Sequence, residues 1–304
     1  MARSVSAIAH AKVNLHLGVG PLREDGYHEL VTVFQSLSLH DELTLTEVDG
    51  EGPVASLDAH GNPEVPEDDR NLAWRAVEKL SAWHRDNGGD ALPAVAIDLL
   101  KGIPTAGGMA GGSADAAATL RAYNALLPVA APEEVLWRIA AELGSDVPFT
   151  LVGETQLGTG RGENLTPMLS TGTYHWALAF AKEGLSTPAV FGKLDQMERT
   201  PHLDTAELAA ALRSGDVHQV ARLITNDMQA AALSLRPQLR RTIEAGERAG
   251  ALRGIVSGSG PTCVFLCGSA DQARALAAEL SGTGHPVVLA ANGPVAGAHL
   301  VSYA

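Results

Sequence analysis

Between residues 103 and 117 the chain reads Ile-Pro-Thr-Ala-Gly-Gly-Met-Ala-Gly-Gly-Ser-Ala-Asp-Ala-Ala. Four glycines fall within six positions, at Gly107, Gly108, Gly111 and Gly112, and Ser113 and a run of alanines follow. Glycine accepts positive φ and leaves no Cβ between the backbone amides and a ligand. The alanine-rich segment 116–122 is strongly helix-forming. A glycine loop that feeds a helix N-terminus exposes free N–H groups at the positive end of the helix dipole. Phosphate is the usual occupant of such a place. One or two glycines would be read as close helix packing; four opening a helix favour an anion. No Gly-Lys-Ser/Thr follows, so this is not a Walker A loop. Ala106-x-Gly108-x-x-Gly111 after a strand-like run at 94–99 partly imitates a dinucleotide loop, a weak match when it stands alone.

The chain has 304 residues, enough for two domains that each bury a core. Charged residues make up 19% and hydrophobic ones 45%, the balance of a soluble globular protein. The formal charge of −13, with no cluster of Lys and Arg, argues against nucleic acid as a partner. Cys263 and Cys267 lie in one strand-like run, roughly 13 Å apart by strand rise, beyond disulfide reach. They read as buried thiols of a reducing compartment. No signal-like segment opens the sequence and no apolar run reaches spanning length, so a cytoplasmic protein without membrane partners is expected.

Residues 5–17 alternate, with Val5, Ala7, Ala9, Ala11, Val13, Leu15 and Leu17 on one face. Ser6, His10, Lys12, Asn14 and His16 share the other, which predicts a strand with one buried face. Lys12 and Asn14 thus point the same way. A solvated face is the ordinary reading, but so polar a row asks for water or a ligand beside it. Asp25-Gly26 predicts a turn, which puts Tyr27 and His28 where the turn meets a second strand over 30–48. Residues 50–69 read as loop. A helix over 71–84 would be capped by Asp68 or Asp69, and another over 132–143 opens with Pro132 and two acids. Asp146 follows it, before an X-Pro step that favours extended backbone; an Asx-type turn is the plain reading there. The glycine cluster at 158–163 reads as the passage into a second domain. That domain is α+β: a strand at 176–180, helices near 204–213, 217–224 and 237–249, a strand–glycine turn–strand over 254–265, and a helix at 271–280.

Four separated signals coincide: Lys12-Val-Asn-Leu, the loop at 103–117, Gly-Ser-Asp-Val-Pro-Phe at 144–149, and Ser-Gly-Ser-Gly-Pro-Thr at 257–262. In order and spacing they resemble the galactokinase, homoserine kinase, mevalonate kinase and phosphomevalonate kinase (GHMP) superfamily. Asp-Gly-Tyr-His-Glu-Leu at 25–30 narrows the resemblance to the branch that phosphorylates a cytidyl diphosphate sugar alcohol on the methylerythritol phosphate route to isoprenoid precursors. The resemblance implies an α+β fold. A ribosomal protein S5-like nucleotide domain would occupy 1–157 and a ferredoxin-like domain 158–304, with a cleft between them. The last strand, near 299–303, can return to the first domain. It further implies transfer of the ATP γ-phosphoryl group to the 2-hydroxyl of the cytidyl substrate, with Mg2+.

By that resemblance Asp146 is the base, and Lys12 is the cation that keeps it ionised and neutralises developing charge. Gly107, Gly108, Gly111, Gly112 and Ser113, with Pro104, Met109 and Ala110, form the ATP loop. Asn71 and Lys101 lie around the adenosine. Tyr27, His28 and Phe191 hold the cytosine, and Asn14 contacts the accepting end. The chain departs from the commoner loop: Ala106 and Ala110 stand where glycines are usual, Met109 where leucine is, and Ala114 where a second serine is. The loss at Ala114 removes one hydroxyl that could order Mg2+, so no protein ligand of the metal is assigned. The expected partners are the two small substrates, and the expected assembly is a monomer or weak dimer. The rival readings are a homoserine or mevalonate kinase, which Tyr27 and His28 oppose, and a dinucleotide-binding oxidoreductase. The latter needs an acidic residue about 20 positions past the loop, and Glu133 opens a helix instead. An RNA-binding module, suggested by the S5-like fold alone, is opposed by the charge.

Overall fold

A computed structural model describes residues 2–24, 26–105, 107–282, 285 and 287–301. Asp25 of the expected turn, Ala106 of the loop, and Ser302 and Tyr303 of the expected last strand lie outside the described residues.

The first half contributes β1 (Ser4–Leu22), β2 (His28–Val48), β3 (Val54–Asp58), β4 (Ala94–Leu100), β5 (Thr155–Gly160) and β6 (Asn164–Pro167). Helices α1 (Leu72–Asp86), α2 (Gly111–Leu126), α3 (Glu133–Leu143) and α4 (Val147–Val152) cover it; α1, α2 and α4 touch the sheet and α3 packs on them. The second half contributes β7 (Tyr174–Phe180), α5 (Thr187–Leu194), α6 (Ala206–Ser214), α7 (Val217–Leu223), β8 (Thr225–Asn226), α8 (Gln229–Leu235) and α9 (Gln238–Arg248). It ends with β9 (Arg253–Val256), β10 (Cys263–Cys267), α10 (Ala270–Ser281), β11 (Val287–Gly293) and β12 (His299–Val301).

The first sheet runs β12-β1-β2-β4-β3, with β5 on β2, β6 on β5 and β8 on β1. Its spine is the long β1–β2 hairpin, in which Leu22 pairs with His28 and Gly26 sits at φ +81°. The ladder shifts register between His10 and Lys12 and again between Asn14 and His16. Such irregularities re-aim side chains, and here they bracket the two polar residues of interest. The second sheet runs β11-β7-β10-β9, all antiparallel. With helices after β7 and after β10, this is the split βαβ pattern of a ferredoxin-like domain. The α+β, two-domain architecture is therefore as the resemblance implies.

The halves are laced together. β12 pairs antiparallel with β1 at residues 6–8, and β8 pairs parallel with β1 at His16 and Leu17. One core cluster joins Leu15, Leu37 and Leu120 of the first half to Trp176 and Leu178 of β7.

Several local expectations change. β3 lies within the stretch read as loop, added parallel to β4. Asn71 caps α1 instead of Asp68 or Asp69; its Oδ1 accepts the Ala73 N–H at 2.9 Å. Asp68 turns instead onto Arg70. Residues 158–163 form the β5–β6 hairpin of the first sheet, so the expected 157/158 boundary falls inside a strand. The chain changes sheet between β6 and β7. Asp146 is αR, with φ −89° and ψ −12°, and leads into α4, whose first turn carries Pro148. Proline needs no N–H there, so the Pro step starts a helix where extended chain was expected.

Candidate active site

The row His10, Lys12, Asn14 and His16 is buried, not solvated. Its cover comes from the second half. A Cβ placed on Gly258 would lie 3.7 Å from both Nζ of Lys12 and Oδ1 of Asn14. Gly258, at φ +56°, belongs to the turn between β9 and β10. Asn226 on β8 holds that turn, because its Nδ2 donates to the carbonyls of Val256 and Gly258 at 2.8 Å each.

Under this cover Lys12 Nζ donates to Asn14 Oδ1 at 2.8 Å and stands 3.7 Å from Asp146 Oδ2. The Phe34 ring centroid is 5.4 Å from the ammonium. Asn14 is fixed in turn, with its Nδ2 donating to Thr32 Oγ1 at 2.8 Å and Thr32 donating to the His16 carbonyl at 2.7 Å. Lys12 is nearly sealed while the Asp146 side chain is 30% exposed. The pair thus has a buried positive end and an open carboxylate end. Thr150 of α4 donates to the Ser113 carbonyl at 3.0 Å, which docks the Asp146 segment against the first turn of α2.

The glycine loop wraps the other side of this centre. Met109 O accepts the Lys12 N–H at 3.2 Å. A Cβ on Gly108, at φ +69°, would meet Ser257 O at 3.0 Å and Gly260 O at 3.1 Å. Two glycine turns from the two halves therefore touch backbone to backbone. Ala110 takes φ +62° just before α2, and among the described residues no side chain caps that helix end. The amides of its first turn are left for a ligand.

Asn71, Lys101, Pro104, Gly107, Gly108, Met109, Ala110, Gly111 and Gly112 line one cavity of about 350 Å³. Ser113 lies one residue beyond its lining. Lys101 is not a free cation. Its Nζ is 2.5 Å from Asp41 Oδ2 and 2.7 Å from Asp115 Oδ2. Asp41 also accepts the N–H groups of Gly102 and Ile103 at 2.8 Å. Burial alone would lower the Lys101 pKa, but Asp115 and Asp41 together outweigh it and raise it. Asp115 is pushed well above the usual carboxylate range, first by burial and then by Asp41, against the pull of Lys101. Asn71 is likewise occupied, as its Nδ2 donates to Pro66 O at 2.8 Å.

The third group sits at the β1–β2 turn. His28 is buried, donates from Nδ1 to Gly20 O at 2.9 Å, and stacks on Phe191 of α5 at 5.2 Å with a 9° tilt. Tyr27 is exposed, with the Arg161 guanidinium 5.1 Å from its ring centroid. Rings 5.2 Å apart leave no slot for a base between His28 and Phe191, since a sandwiched base needs about twice the usual stacking gap. Burial pushes the thiols of Cys263 and Cys267 up to about 12 and about 11, so neither is a nucleophile at neutral pH.

Sequence reasoning missed Asp41, Asp115, Thr32 and Asn226. Only their neighbours in space give them a role.

A glycine loop opening a helix, a Lys–Asp pair beside it and a cleft closed by a second domain define a small-molecule kinase. The GHMP kinases N terminal domain matches residues 71–154, and the GHMP kinases C terminal domain matches residues 208–285. The 4-diphosphocytidyl-2-C-methyl-D-erythritol kinase of Corynebacterium diphtheriae is 60% identical over 306 residues, 98% of each chain. That of Nocardia farcinica is 55% identical over 298 residues, covering 96% of this chain and 95% of the relative. A crystal structure of 4-(cytidine 5'-diphospho)-2C-methyl-D-erythritol kinase superposes with a TM-score of 0.77 at 32% identity, over all of both chains. A homoserine kinase from Cytophaga hutchinsonii, at 18% identity and a TM-score of 0.74 over 98% and 97% of the two chains, shares the fold. The chain belongs to the GHMP kinases, and within them to the 4-diphosphocytidyl-2-C-methyl-D-erythritol kinases. It is an ATP-dependent kinase of small molecules. Among the described residues no helix is long and apolar enough to cross a membrane.

Proposed function

We propose that this kinase transfers the γ-phosphoryl group of ATP to the 2-hydroxyl of 4-diphosphocytidyl-2-C-methyl-D-erythritol, in isoprenoid precursor biosynthesis by the methylerythritol phosphate pathway. The observation that carries the reading is the Lys12–Asp146 approach at 3.7 Å, flanked by the glycine loop on one side. On the other, the same β1–β2 hairpin leads to Tyr27, His28 and Phe191.

Phosphoryl transfer asks mainly for positioning and charge stabilisation. Asp146, open to the cleft, accepts the hydroxyl proton. Lys12, 3.7 Å from it, offsets charge on the transferring group, and Asn14 steadies Lys12 and meets the accepting end. The loop from Gly107 to Ser113 binds the triphosphate through backbone N–H groups. Lys101 carries no spare charge between two carboxylates, so its task is to brace the start of α2 beside the adenosine. Among the described residues no three acids or histidines form a metal cluster, and kinase Mg2+ commonly keeps waters and phosphate oxygens with few protein ligands. When bound with the nucleotide the ion would be held mainly through phosphate oxygens and water and would supply neutralisation of phosphate charge; no protein ligand is assigned to it. His28, Phe191 and Tyr27 hold the cytosine. The protein works in the cytoplasm as a monomer or weak dimer.

An assay of ADP release with three acceptors tests the reading. Turnover with the cytidyl substrate and none with homoserine or mevalonate is expected. Equal use of mevalonate would retire the named substrate.

A further inference from the structure

Residues 257–262 do more than cover Lys12 and Asn14. Their turn is braced within the second half. The Ser257 N–H donates to Thr262 O at 2.9 Å and the Gly260 N–H to Ser257 O at 2.8 Å, while Asn226 holds Gly258 O. Thr262 ends the turn, and its side chain faces the glycine loop. A Cβ on Gly107 would lie 3.0 Å from Thr262 Oγ1 and 3.0 Å from the ring of Phe180 on β7. Gly107 is thus wedged between two side chains of the second half, and glycine is needed there for space.

Thr262 is fully buried, and among the described residues its hydroxyl has no hydrogen-bond partner. A hydroxyl both donates and accepts, and burying one unpaired is costly. Beside it the Ser257 hydroxyl donates to Gly108 O at 3.4 Å, a long bond. The two halves therefore meet here in close contact with little hydrogen bonding. The turn is tied down, whereas the loop leads into the first turn of α2, which no side chain caps among the described residues. The loop is the side that can adjust.

We propose that Thr262 is a positioning residue for phosphoryl transfer: its hydroxyl takes a backbone partner at Gly107 when the glycine loop closes on the triphosphate. This rests on the reading of that loop as the triphosphate site. Phosphate drawn to the amides of the loop and of α2 fixes the loop backbone, and a small shift of Gly107 brings an N–H or a carbonyl onto Oγ1. A bond made only in the nucleotide-bound arrangement adds to nucleotide affinity. It also ties the loop to the turn whose Gly258 lies against Lys12, so the triphosphate is held in register with the Lys12–Asp146 pair.

The test is calorimetric titration of the full chain with a non-hydrolysable ATP analogue and with adenosine, beside urea unfolding without nucleotide. Thr262→Val exchanges the hydroxyl for a methyl of similar size. Without nucleotide it should unfold at the wild-type urea midpoint or a higher one, since it buries no unpaired hydroxyl. Its dissociation constant for the ATP analogue should rise about fivefold or more, the size of one hydrogen bond. Adenosine, which carries no phosphate, should bind as it does to wild type. In turnover KM for ATP should rise and KM for the cytidyl substrate should not. Thr262→Ser keeps the hydroxyl and should keep wild-type affinity for the analogue. If Thr262→Val binds the analogue as wild type does, the hydroxyl plays no part in closing the loop. Weaker binding together with a lower urea midpoint without nucleotide would show that the hydroxyl has its partner before ATP arrives, which also overturns the proposal. Wild-type protein that binds adenosine as tightly as the ATP analogue would instead sink the reading of the loop as the triphosphate site, and the proposal with it.

Discussion

Lys12 Nζ and Asp146 Oδ2 approach to 3.7 Å across the mouth of the glycine loop, with the lysine sealed and the carboxylate open. Asp146→Asn keeps the shape and removes the proposed base. It should lower kcat by roughly 10²-fold or more, the usual range for a general base. Titration with ATP should still give near-normal affinity. Turnover close to wild type would take Asp146 out of the mechanism.

Lys12→Met should slow the chemical step far more than it weakens binding of the cytidyl substrate. An interaction made mainly in the transition state lowers kcat and kcat/KM together. Single-turnover measurements separate this from a loss of binding. A change in melting temperature alone, with normal rates, would make Lys12 a structural residue.

His28→Ala removes the proposed partner of the base and the ring on which Phe191 stacks. Losing such a hydrogen bond costs about 1–3 kcal/mol, so KM for the cytidyl substrate should rise roughly ten- to a hundredfold. KM for ATP should barely move, because the ATP cavity is lined by other elements. Equal changes in both constants would detach His28 from base recognition.

Gly108→Ala tests the contact between the halves. The residue sits at φ +69°, and its new Cβ would press on the carbonyls of Ser257 and Gly260. Backbone cannot rotate away as a side chain can. The variant should lose stability by about 1–3 kcal/mol, the usual cost of a strained backbone site. It should also weaken ATP binding. Urea unfolding that matches wild type would mean that the two turns do not meet in solution.

His10 gives the pH dependence. Burial, helped by His40 and His299, lowers its pKa to about 4 from the ordinary 6.5. Between those values the unfolded chain binds a proton there and the folded chain does not. Stability should therefore fall as the pH drops from about 6.5 to about 4, by about 3 kcal/mol from this residue. His16, lowered mainly by burial, acts in the same direction. Denaturant curves at several pH values should show a shallower acid loss in His10→Gln. An identical slope would assign the acid sensitivity to other groups.

The sequence by itself determined the elements whose causes are local. Period-two alternation over 5–17 sets the β1 strand, and four glycines before an alanine run set the loop and α2. The order of the four motifs was enough to indicate the superfamily, and with it the residues from Gly107 to Ser113 that line or adjoin one cavity. Only the tertiary structure decided what lies against them. The polar face of β1 looked solvated because the turn at 257–262 and β8, which bury it, come more than two hundred residues later. The resemblance set Lys101 near the adenosine, but nothing near it in sequence shows that Asp41 and Asp115 close on its ammonium. Backbone preference and side-chain period act over a few residues and leave a trace in the string of letters. Ion pairs and shared hydrogen bonds act over a few ångströms, and folding alone brings such residues that close.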